Sequence, residues 1–173
     1  MDLTKHCHLC EHQSVSLKEG TSCTLTNRKP EFNRTCSKIE LGDKFKTTLK
    51  STNVELEKLK RNKTLTLIYF AVFTTIGLSV IIGGFLLGRY AWVSGVISPI
   101  PLVIMGVGLG PLGLAFGTLN RHNADFKLAK KHKDQIDNIL ELYKIEYAID
   151  IKFGKEYHGT QDIEVQLNIK GVR

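Results

Sequence analysis

The sequence predicts an α+β membrane protein: a two-helix transmembrane hairpin, a small cysteine-bearing module before it, and a helix plus β-hairpin after it. Three observations carry that expectation. From Thr64 to Asn120 the chain holds one formally charged residue, Arg89, although the 173-residue whole carries a formal net charge of +7. All four cysteines, Cys7, Cys10, Cys23 and Cys36, fall within the first quarter of the chain. Beyond Tyr143 the apolar spacing changes from a helical period to alternation.

Residues 1–42 read as the cysteine module. KHCHLCEHQ sets Cys7 and Cys10 at C-x2-C spacing among His6, His8 and His12, and Cys23 and Cys36 each follow after twelve intervening residues. QSVSL and TSCTLT are β-prone runs separated by KEG, so a small hairpin would carry Cys23 back towards the first pair. TNRKPEFNRTC would then return Cys36. The module has few apolar residues and is expected to lack a core of its own. MDLTKHCHLCEHQ contains no apolar run fit for a secretory signal, so this segment is expected in the mature protein.

Residues 43–63, DKFKTTLKSTNVELEKLKRNK, place Phe45, Leu49, Leu56 and Leu59 on one helical face, with Asp43 after Gly42 as a cap. Such a helix either continues into the membrane or forms a short amphipathic element, on the lipid surface or packed on the C-terminal part. Its stripe is too short for a coiled coil.

The predicted hairpin occupies residues 64–120. TLTLIYFAVFTTIGLSVIIGGFLL, residues 64–87, carries no charge, and at ~1.5 Å per residue it reaches about 36 Å. That exceeds a hydrocarbon core of about 30 Å. The second span, 98–119, opens on Ser98-Pro99, a capping residue with proline at the first helical position. The short connection GRYAWVSGVI carries Tyr90 and Trp92, residue types that settle at interfaces. Lys58, Lys60, Arg61 and Lys63 precede the first span; Arg121, Lys127, Lys130, Lys131 and Lys133 follow the second; the connection offers only Arg89. The positive-inside rule therefore predicts both termini in the cytoplasm, and the composition fits a multi-pass protein of a bacterial inner membrane.

Sidedness bears on the cysteines. Cytoplasmic thiols stay reduced, which disfavours two disulfides and makes a structural Zn2+ on Cys7, Cys10, Cys23 and Cys36 the leading expectation. One C-x2-C pair with two single cysteines is a weaker signal than two pairs. Four unrelated thiols remain the alternative. A redox pair lacks the surrounding βαβ pattern, and a neighbouring histidine could replace one thiol. The run CHLCEHQSVSLKEGTSCTLTNRKPEFNRTCSKIEL resembles a module that opens small membrane proteins of Bacteroidetes-type bacteria, CxxC…G…CxLTxxKPxFxxxCxxF. Cys7, Cys10, Gly20, Cys23, Leu25, Thr26, Lys29, Pro30, Phe32 and Cys36 match it, while Ile39 stands where an aromatic is common. The resemblance covers about the first quarter of the chain, implies a zinc-ribbon-like module and supplies no activity.

Residues 121–173 begin with a helix bearing Phe126, Ala129, Ile136, Ile139, Leu140 and Tyr143 on one side. YAIDIKF and DIEVQLNIKGV then alternate, and GKEYHGTQ joins them into a β-hairpin. Its edges are expected to pair with another copy, with the cysteine module's strands, or with a different protein.

Glycines mark the spans: Gly77, Gly83 and Gly84 in the first, Gly106, Gly110, Gly113 and Gly117 in the second. They would pack the hairpin on itself or, in the sharper reading, assemble an oligomer around a pore. No ionisable residue lies deep in either span, which argues against a selective channel. Enzyme readings find no nucleophile motif. His122 and Asp125 read as a solvated pair, and VGLGPLG follows no strand, so it is not a dinucleotide loop. The module's cations are diluted by Glu11, Glu19 and Glu31 without interleaved aromatics, which argues against nucleic acid. No small-molecule substrate is evident. The expected function is a non-enzymatic adaptor or accessory subunit at the bilayer, with a protein partner or further copies of itself. An oligomeric two-span pore gated by its soluble modules is the alternative.

Overall fold

The computed structural model describes residues 3–18, 20–95, 97–157 and 160–171, without the side chains of 156, 157 and 160. The elements run α1 (Thr4–His8), β1 (Gln13–Ser16), β2 (Gly20–Cys23), α2 (Asp43–Val93), α3 (Ile100–Leu142), β3 (Glu146–Tyr157) and β4 (Thr160–Lys170). The architecture is mixed: two long helices and two small antiparallel sheets, β1-β2 and β3-β4. The chain divides into two compact units, one combining 1–56 with 129–173 and the other comprising 57–128.

The first unit contains a core that neither soluble segment could build alone. Leu9 from the cysteine module, Phe45 and Leu49 from α2, Ile136, Ile139 and Leu140 from α3, and Ile145 bury one another. Leu41, Tyr143, Tyr147, Leu167 and Ile169 close around them. Pooling apolar side chains from four segments answers the shortage noted in residues 1–42, because stabilisation scales with apolar area removed from water.

The start of α2 shows how the segments interlock. Glu11 Oε1 accepts the Lys44 N–H at 2.7 Å, placing a carboxylate from the cysteine module on the helix N-terminus. The cap is therefore Glu11, and Asp43 sits in the first turn beside Lys46 at 3.2 Å. A Cβ at residue 42 would stand 2.6 Å from Glu11 Oε1, so this approach requires Gly42. From there α2 runs unbroken to Val93, joining the amphipathic stretch to the first apolar span, while Phe45 and Leu49 are buried in the core.

At the other helix Ser98 Oγ accepts the Ile100 N–H at 3.3 Å, as its Ser-Pro opening predicts. After Leu142 the chain reverses through Lys144, at a φ of 56°. The Ile145 N–H reaches the Leu140 carbonyl at 3.0 Å and the Lys144 N–H reaches Glu141 at 3.1 Å, a Schellman-type ending. Strand β3 then pairs antiparallel with β4, from Glu146 opposite Lys170 to Phe153 opposite Ile163, and an irregularity follows between Phe153 and Glu156. The predicted turn includes residues 158 and 159, which lie outside the described residues.

In the second unit both helices are long and apolar enough to cross a membrane, and only 6% and 11% of their most apolar windows are buried. The helices meet where side chains are smallest. A Cβ on Gly77 would lie 2.9 Å from the Gly108 carbonyl oxygen, and one on Gly84 3.1 Å from that of Pro101. Phe70 and Phe116 make an edge-on contact at 5.2 Å, and Ala115 is buried.

Candidate metal centre

The first unit gathers the cysteines around one point. Cys7 and Cys10 flank the turn after α1, where the Cys10 N–H donates to the Cys7 carbonyl at 3.0 Å. β1 and β2 pair from Gln13 opposite Cys23 to Ser16 opposite Gly20, which carries Cys23 back to that turn. Cys23 opens a second tight turn, its carbonyl accepting the Asn27 N–H at 2.7 Å. Cys36 lies between a bend at residues 33–35 and a turn at 37–38, and its N–H donates to the Tyr143 hydroxyl at 2.8 Å. All four are free thiols.

They line a single small cavity of about 20 Å³ together with His6, His12, Gln13, Lys38 and Ile39. A space of that size suits one water-sized sphere. Among the described residues, no group of three or more His, Cys, Asp or Glu side chains is arranged to hold a metal ion. The four thiols expected to hold zinc share this cavity but are not arranged as a coordination sphere.

The electrostatics describe one sulfur, that of Cys7, short of positive charge. Burial pushes the Cys7 thiol up, Cys10, Cys23 and Cys36 push it further, and Lys44 alone opposes them. Lys44 also donates to the Gln13 side chain. Cys10 Sγ accepts the Glu40 N–H at 3.5 Å, and the Glu40 carboxylate meets His12 Nε2 at 2.8 Å.

Three residues of this site are illegible as such in the sequence. Tyr143 ends the apolar stripe of α3, yet its hydroxyl accepts the Cys36 N–H and lies 3.3 Å from His6 Nδ1. Burial pushes its phenol up, and the Cys36 N–H works in the other direction. Glu11, read from sequence as a diluting charge, and Glu40, not singled out there, tie the cysteine turn to the base of α2. His6 is buried edge-on between Phe32 and Tyr143, and burial alone lowers its pKa, so it sits as a neutral ring. His8 is exposed and lines a separate cleft of about 380 Å³ with Lys5, Gln13, Thr48, Thr52 and His132.

The glycines divide. Gly77 and Gly84 stand at the close approach of α2 to α3, joined there by Gly88 and Gly108, which the spacing argument did not single out. Gly83, Gly106, Gly110, Gly113 and Gly117 have open space where a Cβ would be. Gly106, Gly110, Gly113 and Gly117 therefore do not pack the hairpin on itself. They fall within one stripe of α3, since spacings of four, three and four return to the same side of a helix. On α3 the acid expected beside His122, Asp125, instead faces Arg121 at 4.0 Å as an exposed ion pair.

Compared with protein-family models, curated proteins and solved structures, the chain shows no match.

Proposed function

We propose that the chain is a membrane-anchored interaction protein, an adaptor or accessory subunit without catalytic activity. In this reading it spans a bacterial inner membrane twice, both termini are cytoplasmic, and Cys7, Cys10, Cys23 and Cys36 would hold a structural zinc. The observation that carries it is the composition of the first unit. Sequence before the first apolar span and sequence after the second share one core, as two ends on one side of a bilayer would. The apolar windows support the anchor, because a core helix of a soluble protein would bury most of such a window.

Support for zinc lies in the donor set. Four thiols from three segments border one cavity, and Cys7 is buried beside the other three with Lys44 as the one cation acting against them. A divalent cation would add to that positive charge and deprotonate the thiols. Purified protein is expected to hold about one zinc per chain, and Cys23→Ser to lose it and loosen residues 1–42. Unchanged metal content in that variant would remove Cys23 from the site.

One observation favours the second reading, an oligomeric two-span assembly. The stripe Gly106, Gly110, Gly113 and Gly117 is open in the single chain, and glycine stripes let helices from separate copies approach closely. Ion flux through liposomes carrying purified protein separates the readings. Robust conductance defeats the adaptor; silence together with a stable co-purifying partner defeats the pore.

A further inference from the structure

Strand β4 differs from β3 in a way that bears on self-association. β3 contains Gly154, the irregularity between Phe153 and Glu156, and Lys152 and Lys155, which are devices that guard a sheet edge against pairing. β4 has no glycine or proline, and its one lysine, Lys170, stands at its end. Within the described residues β4 pairs only with β3, so its outer edge carries no strand.

The side chains of β4 also complement themselves. Ile163, Val165, Leu167 and Ile169 form one half-buried face, and Asp162, Glu164, Gln166, Asn168 and Lys170 form the exposed one. Residues opposite each other in an antiparallel pair project to the same face, so two β4 strands match apolar with apolar only in every second register. Centring the pair on Gln166 puts Asp162 of each copy opposite Lys170 of the other, and Glu164 opposite Asn168. It also puts Ile163 opposite Ile169 and Val165 opposite Leu167. Moving the centre to Val165 leaves Asp162 opposite Asn168, with no cation. Moving it to Leu167 gives a Glu164–Lys170 pair but loses Asp162 and shortens the overlap. Within one chain Lys170 already faces Glu146 and Lys152 faces Glu164, whereas Asp162 lies at the irregularity, where a Cβ on Gly154 would touch its backbone. Of the two acids on β4, Asp162 is thus the one for which the hairpin itself provides no opposite lysine.

We propose that two copies of this chain pair through the outer edges of β4, antiparallel and centred on Gln166, giving a continuous four-stranded sheet β3-β4-β4-β3. The ladder hydrogen bonds supply cohesion, and the two Asp162–Lys170 pairs select the register. This contact is independent of the metal and of the glycine stripe.

The full chain in detergent micelles or lipid nanodiscs tests it. Gln166→Cys lies opposite its own counterpart and is expected to form a disulfide-linked dimer under mild oxidation, above the background of the wild-type thiols. Glu164→Cys faces its counterpart from about 13 Å along the strands and is expected to stay at background. Lys170→Asp sets like charges opposite each other twice and is expected to weaken self-association roughly tenfold. Asp162→Lys combined with Lys170→Asp should restore it. Equal cross-linking at Glu164→Cys and Gln166→Cys overturns the register. A chain that stays monomeric, or a double variant no better than Lys170→Asp, overturns the contact. Loss of zinc or of ion flux affects neither arm, so failure here is distinguishable from failure of the proposed function.

Discussion

Phe45 and Phe85 stand on the same helix, yet Phe45 has 0% of its surface exposed and Phe85 has 58%. Around Phe45 every apolar neighbour belongs to a core assembled from four segments. Around Phe85 lie Ile82, Leu86 and Leu87, each more than half exposed. Water would penalise the second arrangement heavily, since exposed apolar surface costs about 25 cal/mol per Å². In hydrocarbon that penalty vanishes, and close backbone packing becomes the main source of helix association. If the apolar stretch spans a bilayer as proposed, one continuous helix obeys two solvents in turn, and substitutions along it should act by two different rules.

The largest expected effect is at the buried end. Phe45→Ala should destabilise the first unit by about 3–5 kcal/mol, because the ring leaves a cavity that Leu9, Leu49 and Leu140 cannot fill. Thermal unfolding of the full chain in detergent, followed by hydrogen exchange in residues 129–157, measures it. Phe85→Ala is expected to leave that transition unmoved. A shift of similar size there would show that Phe85 is packed on protein and would end the comparison.

Next comes a pair of glycines on α3. Gly108→Ala pushes a methyl to 2.9 Å from the Gly77 carbonyl oxygen and 3.2 Å from the Ile81 nitrogen, backbone atoms that can yield only by moving the helices apart. The expected cost is about 1–3 kcal/mol in the SDS denaturation midpoint of the hairpin. Gly113→Ala meets open space and should leave the midpoint of the single chain unchanged. If Gly113→Ala instead lowers the oligomeric mass seen by light scattering, the open stripe is an interface between copies.

How much of this was legible depends on whether a feature repeats along the chain. Both apolar spans, the Ser98 cap and the alternation in β3 and β4 are periodic or adjacent in sequence, and each is read from a short window. The join between the amphipathic stretch and the first span required choosing between two open alternatives. Contacts over long separations leave no such trace. Glu11 caps a helix starting 32 residues later, and Tyr143 reaches a cysteine 107 positions away. The glycine stripe was visible as spacing, but which side of α3 faces α2 depends on the crossing, which Gly77 and Gly108 set together. For the cysteines, spacing indicated that four thiols belong together, while the tyrosine that holds one of their backbones looked like another core aromatic.

Tyr143 sharpens the contrast from the side of the site. Tyr143→Phe preserves the ring in the core and removes only the acceptor for the Cys36 N–H and the contact to His6. The loss of that acceptor is expected to cost about 1–3 kcal/mol. Under the zinc reading it should also weaken metal binding by about 10–100-fold, as removal of an outer-shell partner does. Competition with a chromophoric chelator reads the affinity. Unchanged affinity with lowered stability would make the hydroxyl purely a core contact.

The smallest effect expected lies on the opposite flank of the same core. Tyr147 donates to Asp137 at 2.7 Å and accepts from Lys133 at 2.9 Å, and Lys133 also meets Asp137 at 2.5 Å. Burial pushes the Tyr147 phenol above its ordinary 10.0; Lys133 and Asn53 pull it down, and Asp137 adds to the rise. Burial pulls Lys133 down, but its bonds to Asp137 and Tyr147 outweigh that and leave it above 10.5. Both groups hold their protons more tightly when folded than when unfolded. Their contribution is therefore complete below about pH 10 and is lost as pH rises through the folded values, because the unfolded chain releases its protons first. The first unit should lose stability on the alkaline side, and Tyr147→Phe should flatten part of that decline while costing about 1 kcal/mol at neutral pH. Thermal melts of both proteins across pH 8 to 11 decide it. An alkaline decline equal in both would place the titration elsewhere and leave the triad as a neutral clasp between α3 and β3.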